Sequence, residues 1–235
     1  MSRHLISRHL ISLTPTSSHP FLVAAGNGEL DSKLLSFWLA QDRIYAAHAY
    51  PKFIGSLIAN IPFSSSHGLE SPEEQFHQKI LKSLLFCLEN VVREASFFKD
   101  TAQTYKLVLD GWPERKATRD YTAEMARLSG TGNLVQGLVF LWAMEKVYLD
   151  IWSSVHRQVT LLSPPLNPTS SAVLALADNW SNPEFNAFVE RLAELVDSLD
   201  IQPGSTSWRD AENIWERVIE LEAGFWPHSN EISST

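Results

Sequence analysis

Along the chain the hydrophobic positions recur every three or four residues, and no convincing run alternates with a period of two. The pattern predicts an all-α protein. Asp31 can cap a helix through "LLSFWLAQDRIYAAHAY", with Pro51 as a kink. "SSSHGLE" (64–70) is loop. "SPEE" (71–74) joins a serine cap, a proline at the first helical position and a glutamate at the third, a capping box that starts a helix. That helix should run from Pro72 to about Phe98, with a second segment to about Leu109. "GWP" (111–113) breaks the pattern, and another helix covers about 115–129 before "GTG" (130–132) stops it. Asn133 can cap the next helix, which carries "LWAMEKVYLDIW" (141–152). "SPPLNPTS" (163–170) is the clearest loop and is followed by a short helix. "NWSNPEF" then restarts a helix with Ser181 or Asn182 as cap and Pro183 at its first position. "QPGSTS" (202–207) precedes a final helix of about 208–226. Loops are short and no linker stands out, so residues 16–235 read as one helical domain after an N-terminal tail of residues 1–15.

Three of these helices set a carboxylate on an aromatic stripe. Leu141, Glu145, Tyr148 and Trp152 fall at i, i+4, i+7 and i+11, one face of a helix. Trp38, Asp42 and Tyr45 share a face, and so do Trp215, Ile219, Glu222 and Trp226. An unpaired buried carboxylate costs on the order of several kcal/mol, comparable with a whole protein's margin of stability. Each one alone reads as a structural strut paired with Arg, Lys or a tyrosine hydroxyl. Three together, with Tyr45, Tyr121 and Tyr148 within reach, favour a polar pocket inside the bundle. Its chemistry would be acid–base, because burial and like-charged neighbours raise a carboxyl pKa toward neutrality. Aromatic walls suit a flat heterocycle. Lys146 and Asp150 lie off the stripe and read as an ordinary surface pair.

Composition narrows the partners. The net charge of -8 argues against nucleic acid or an anionic membrane surface. No apolar run approaches the roughly 20 residues needed to span a bilayer. The single cysteine, Cys87, cannot form a disulfide within the chain and fits a reducing, intracellular setting, so a cytoplasmic location is expected. The start "MSRHLISRHLISLTP" repeats "SRHLI" in tandem and carries no acid before Glu29. It has some likeness to a mitochondrial transit peptide, but a frayed tail is the reading taken.

Other constellations are weaker. Glu74 to His77 spell E-x-x-H, one half of a carboxylate-bridged di-iron site, but no second copy is present and the capping box already explains Glu74. No metal is expected. His48, three residues beyond Tyr45, could reach the pocket rim but reads better as a satisfied structural histidine. Cys87, in "SLLFCLEN", reads as a small core residue rather than a nucleophile.

The segments "HPFLVAAGNGEL" (19–30), "FWLAQDRIYAAHAY" (37–50), "YTAEM" (121–125), "LWAMEKVYLDIW" (141–152) and "ELEAGFW" (220–226) together resemble the TenA/THI-4 family over nearly the whole chain after the tail. The resemblance implies a heme-oxygenase-like helical bundle, a homo-oligomer (dimer or tetramer), and a role in thiamin salvage by hydrolysis of aminopyrimidine breakdown products without a cofactor. By position, Asp42 matches the family's pyrimidine-anchoring aspartate. Tyr45, Tyr121 and Tyr148 match pocket tyrosines, Phe225 a pocket phenylalanine and, more loosely, Trp180 an aromatic wall. Glu222 matches the acid–base glutamate. Where the best-known members carry a nucleophilic cysteine, this chain has Met144. Glu145, in "WAMEKVY", is similar to the glutamate of a cysteine-less branch. That departure puts cleavage of thiamin itself in doubt. The expectation is hydrolysis of amino- or formylamino-pyrimidines, with Glu145 and Glu222 exchanging protons and Asp42 holding the ring. Two other readings stay open: an oxidase or oxygenase on the same bundle, and a non-catalytic pyrimidine-binding protein.

Overall fold

A computed structural model describes residues 1–9 and 18–232. Among the described residues the regular structure is entirely helical. In chain order the helices are α1 (Ser2–His9), α2 (Pro20–Gly26), α3 (Ser32–Ile44), α4 (Tyr50–Ala59), α5 (Pro72–Tyr105), α6 (Lys116–Thr131), α7 (Leu134–Val159), α8 (Pro168–Asn179), α9 (Pro183–Asp197) and α10 (Thr206–Phe225). A π-helical segment, Tyr45–Ala49, joins α3 to α4, and a 3₁₀ turn, Ser229–Ile232, follows α10.

Side chains set most of the boundaries. Asp31, Asn133, Asn182 and Ser205 each accept a backbone N–H of the first turn that follows them. Ser71 accepts the Glu74 N–H, yet the expected box is only half formed. The Glu74 carboxylate takes a bond from Gln78, and the Ser71 N–H goes to Gly68 O. The long helix α5 does not break at Phe98, because nothing between Phe98 and Tyr105 interrupts its backbone ladder. It ends where Lys106 turns left-handed (φ 57°) and Leu107 N–H returns to Ala102 O.

The distortion near Pro51 is a π segment rather than a simple kink. Pro51 has no N–H and its ring would crowd the carbonyl four residues back. The widened turn relieves this, and the Tyr50 N–H bonds Tyr45 O, five residues behind.

Helix α7 is the axis of the bundle. Every residue from Gly137 to Met144 is buried, as a helix surrounded on all sides requires. It packs most extensively on α10 and α9, and also on α2 and α8. Around its C-terminal half Trp38, Trp152 and Trp226 are completely buried, and the Trp38 and Trp226 rings stack at 5.6 Å. At its other end α4 crosses so closely that a Cβ on Gly137 would lie 2.2 Å from Leu57 Cδ2. Leu57 is itself buried and has little room to yield. Gly137→Ala is therefore expected to lose about 1–2 kcal/mol net, overpacking outweighing the gain in helix propensity. A denaturant midpoint unchanged or raised would show that Leu57 moves freely.

At the N-terminus Leu5 is fully buried and α1 packs against α9, where Asp197 accepts bonds from the Met1 ammonium and from Ser2. The boundary expected at residue 15 lies outside the described residues. Lys146 and Asp150 do pair, at 2.5 Å. No helix among the described residues is long and apolar enough to cross a membrane.

Candidate active site

Four carboxyl groups from four helices converge beside α7: Asp42 on α3, Glu94 on α5, Glu145 on α7 and Glu222 on α10. Each takes its hydrogen bond from an aromatic side chain. Tyr148 Oη donates to Asp42 Oδ2 at 3.1 Å, Tyr50 Oη to Glu145 Oε1 at 2.5 Å, and Tyr121 Oη to Glu222 Oε1 at 2.7 Å. The Trp180 indole N–H donates to Glu94. Neutral donors soften the burial cost without supplying a counter-charge. The second oxygen of Glu222, a side chain only 2% exposed, has no hydrogen-bond partner among the described residues.

Burial sets the direction of every shift in the group, with Arg93 offsetting it only in part at Glu94. It pushes Glu145 and Glu222 up to about 8 and Glu94 to about 7, in each case chiefly by desolvation. Desolvation first, and then the Glu94 charge, hold Asp42 well above the usual carboxylate range. Carboxyls poised near neutrality can both give and take protons at physiological pH.

A cavity of about 30 Å³ sits among them, roughly the space of one water molecule. Asp42, Tyr45, Glu145, Tyr148 and Trp180, all singled out in the sequence, line it. Glu222, Tyr121 and Phe225 form the layer behind: the Tyr45 ring meets Tyr121 at 4.9 Å and Phe225 at 5.7 Å. So the expected residues do come together, but in two shells divided by Tyr45. Met144 also lines the cavity, and its sulfur accepts the Tyr45 hydroxyl at 3.2 Å.

Sequence reasoning missed Glu94, Tyr50, Asn90 and Phe185, which also line the cavity. Glu94 had a signal: Cys87, Val91, Glu94 and Phe98 repeat the i, i+4, i+7, i+11 stripe seen elsewhere. Tyr50 had none. On a regular helix a residue five positions beyond Tyr45 turns away, and only the π turn brings both to one face. Cys87 is more than a core residue, since it lines the cavity next to Tyr50. Burial pushes its thiol up, so it stays protonated and poorly nucleophilic. His48 is exposed and lies on a separate surface cleft. Among the described residues no three His, Cys, Asp or Glu side chains are grouped to hold a metal ion.

Rings and carboxyls thus wall a small cavity inside the helical bundle. Comparison with known proteins gives the kinship. The profile of the TENA/THI-4/PQQC family matches residues 7–231, and the chain belongs to that family. Its fold is the heme-oxygenase-like helical bundle. A TenA homologue from Pyrococcus furiosus superposes with a TM-score of 0.73 at 20% identity, covering 96% of this chain and 97% of that one. A candidate TenA-like thiaminase from Sulfolobus solfataricus gives 0.63 at 17% identity, covering 95% and 93%. In sequence, a Glycine max protein named "Probable bifunctional TENA-E protein" is 20% identical over 96% of this chain and 91% of its own length. A Fusarium pseudograminearum protein named "Probable transcription factor" is 24% identical over 96% of this chain. The chain spans only half the length of that relative.

Proposed function

We propose that this protein hydrolyses a C–N bond of a thiamin-derived aminopyrimidine, amino- or formylamino-substituted, without a cofactor. The observation that carries the reading is the carboxyl cluster at a ring-walled cavity: Glu145 and Glu222, each pushed up to about 8 by burial, with Asp42 held well above the usual carboxylate range. A basic aminopyrimidine supplies the ring nitrogen and amino group that such a carboxyl can hold in two hydrogen bonds. Tyr45, Tyr121, Tyr148, Trp180 and Phe225 enclose the ring. Of Glu145 and Glu222, one takes the proton of the attacking water and the other returns one to the leaving amine.

The family, and relatives named for TenA-E and thiaminase, support a thiamin-related hydrolase. Met144 on the cavity wall and a protonated Cys87 favour the cysteine-less chemistry and leave thiamin uncleaved. A cytoplasmic homo-oligomer goes with this reading. Leu85 and Val92, one face of α5 at 45% and 70% exposure, offer apolar surface for a second copy.

The test is a paired incubation of the metal-free protein with formylamino- and aminomethyl-substituted 2-methyl-4-aminopyrimidine in one arm and thiamin in the other, followed by mass spectrometry. Conversion of the pyrimidines and not of thiamin is the expected result. No conversion of either by folded protein sinks the hydrolase reading. Tight pyrimidine binding without turnover would replace it with a binding role.

A further inference from the structure

The inner cavity does not end at Trp180. Asn90, Glu94, Trp180 and Phe185 line it on one side and on the other line a second cavity of about 260 Å³. Pockets that hold small molecules run to roughly 300–1,000 Å³. The inner cavity alone is far below that range, and only with the outer chamber does the pair approach it. Asn90, Glu94, Trp180 and Phe185 are the wall the two cavities share, and a ligand that fills both must pass between these side chains.

The outer chamber has its own chemistry. Phe86, Phe97, Phe185 and Phe188 supply its apolar faces, with the Phe86 and Phe188 rings 5.1 Å apart. At its mouth Arg93 and Glu184, 62% and 61% exposed, approach to 3.3 Å, so their charges oppose each other in the solvent. Arg93 is also held by Asn90 Oδ1. The Glu94 carboxyl is occupied by Trp180. The rim charges offset each other, and the four phenylalanine rings and Trp180 share the wall with Asn90, Asn179, Asn182 and the Glu94 carboxyl. A carboxylate tail would lose hydration there beside Glu94, with Arg93 already engaged by Glu184 and Asn90. A planar apolar group would stack on the phenylalanines.

Taking the proposed aminopyrimidine site as given, we infer that the outer chamber is a second subsite that receives an uncharged aromatic or branched apolar acyl group carried on the exocyclic nitrogen of the pyrimidine. The physiological substrate is then an N-acyl aminopyrimidine larger than the formyl derivative. Trp180 and Phe185, shared by both chambers, divide the ring from the acyl group.

Binding tests this separately from turnover. Stopped-flow tryptophan fluorescence reads association of the N-benzoyl and N-formyl amides of 5-aminomethyl-2-methyl-4-aminopyrimidine with the full chain before hydrolysis proceeds. The benzoyl amide is expected to bind at least about tenfold tighter, one added aromatic contact of the size that apolar pockets discriminate. Phe86→Ala, which changes the outer chamber and leaves the lining of the inner cavity untouched, is expected to remove most of that advantage and leave the formyl Kd within about twofold. Phe86→Leu provides the same comparison if the alanine variant does not fold. Equal or weaker binding of the benzoyl amide overturns the subsite, as does an advantage that survives both Phe86 variants. Hydrolysis of the formyl amide without a benzoyl preference removes the subsite and leaves the hydrolase. A benzoyl preference without hydrolysis does the reverse.

Discussion

Glu145→Gln is expected to lower kcat/KM for the formylamino pyrimidine by on the order of 10²–10⁴, the usual worth of a general acid or base. The amide keeps the shape of the side chain and an oxygen to accept the Tyr50 hydroxyl, now at 2.5 Å. What it loses is the exchangeable proton of a carboxyl poised at about 8 on the cavity wall. The loss should therefore fall on kcat, with KM nearly unchanged. Tyr50→Phe removes the hydroxyl that holds Glu145 in place while leaving the carboxyl. Its effect should be smaller and should shift the pH–rate profile upward, because that hydrogen bond lowers the Glu145 pKa. Steady-state kinetics across pH 5–9 separate the two variants. Unchanged turnover in Glu145→Gln would remove Glu145 from the proton transfers.

Glu222→Gln should make the protein more stable at neutral and alkaline pH. The ordinary glutamate value is 4.5, and burial lifts Glu222 to about 8 in the fold. The unfolded chain releases this proton near pH 4.5 while the native state keeps it to about 8. The native state thus binds more protons across that window, and stability falls as pH rises through it. Each pKa unit is worth about 1.4 kcal/mol, so the penalty at pH 7 is on the order of 3 kcal/mol. Glutamine cannot ionise and can still accept the Tyr121 bond at Oε1. Tm should rise by roughly 5–10 °C at pH 8 and hardly change at pH 4, where the native glutamate is already neutral. Thermal melts of both proteins over that range decide it. A variant less stable than the parent at pH 8 would mean that Glu222 is stabilised as an anion. Turnover should fall at the same time, since under the proposed mechanism the group that destabilises the fold carries the protons.

Much of the site was legible because helical geometry writes itself into spacing. The stripes that hold Asp42, Glu145 and Glu222 repeat at three- and four-residue intervals, and a buried carboxyl among rings contradicts ordinary patterning wherever it occurs. Glu94 carried the same signal and was overlooked, one acid in a helix rich in surface charge. The half-formed box at Ser71 has another origin. Local sequence allows Glu74 to reach back to Ser71 or forward to Gln78, and the Gly68 carbonyl takes the Ser71 N–H first.

The sequence alone determined the all-helical class, the caps at Asp31 and Asn133, a cap at Ser181 or Asn182, and three inward-facing carboxyls, since each depends on residues within a few positions of one another. Only the tertiary structure decided what faces what across helices. It set Tyr50 beside Glu145 through a π turn and Trp180 against Glu94. It brought Cys87 to the cavity wall and moved Glu222 to a second shell behind Tyr45. Those pairings join residues on different helices, and their geometry follows from how the helices pack around α7 rather than from any local periodicity.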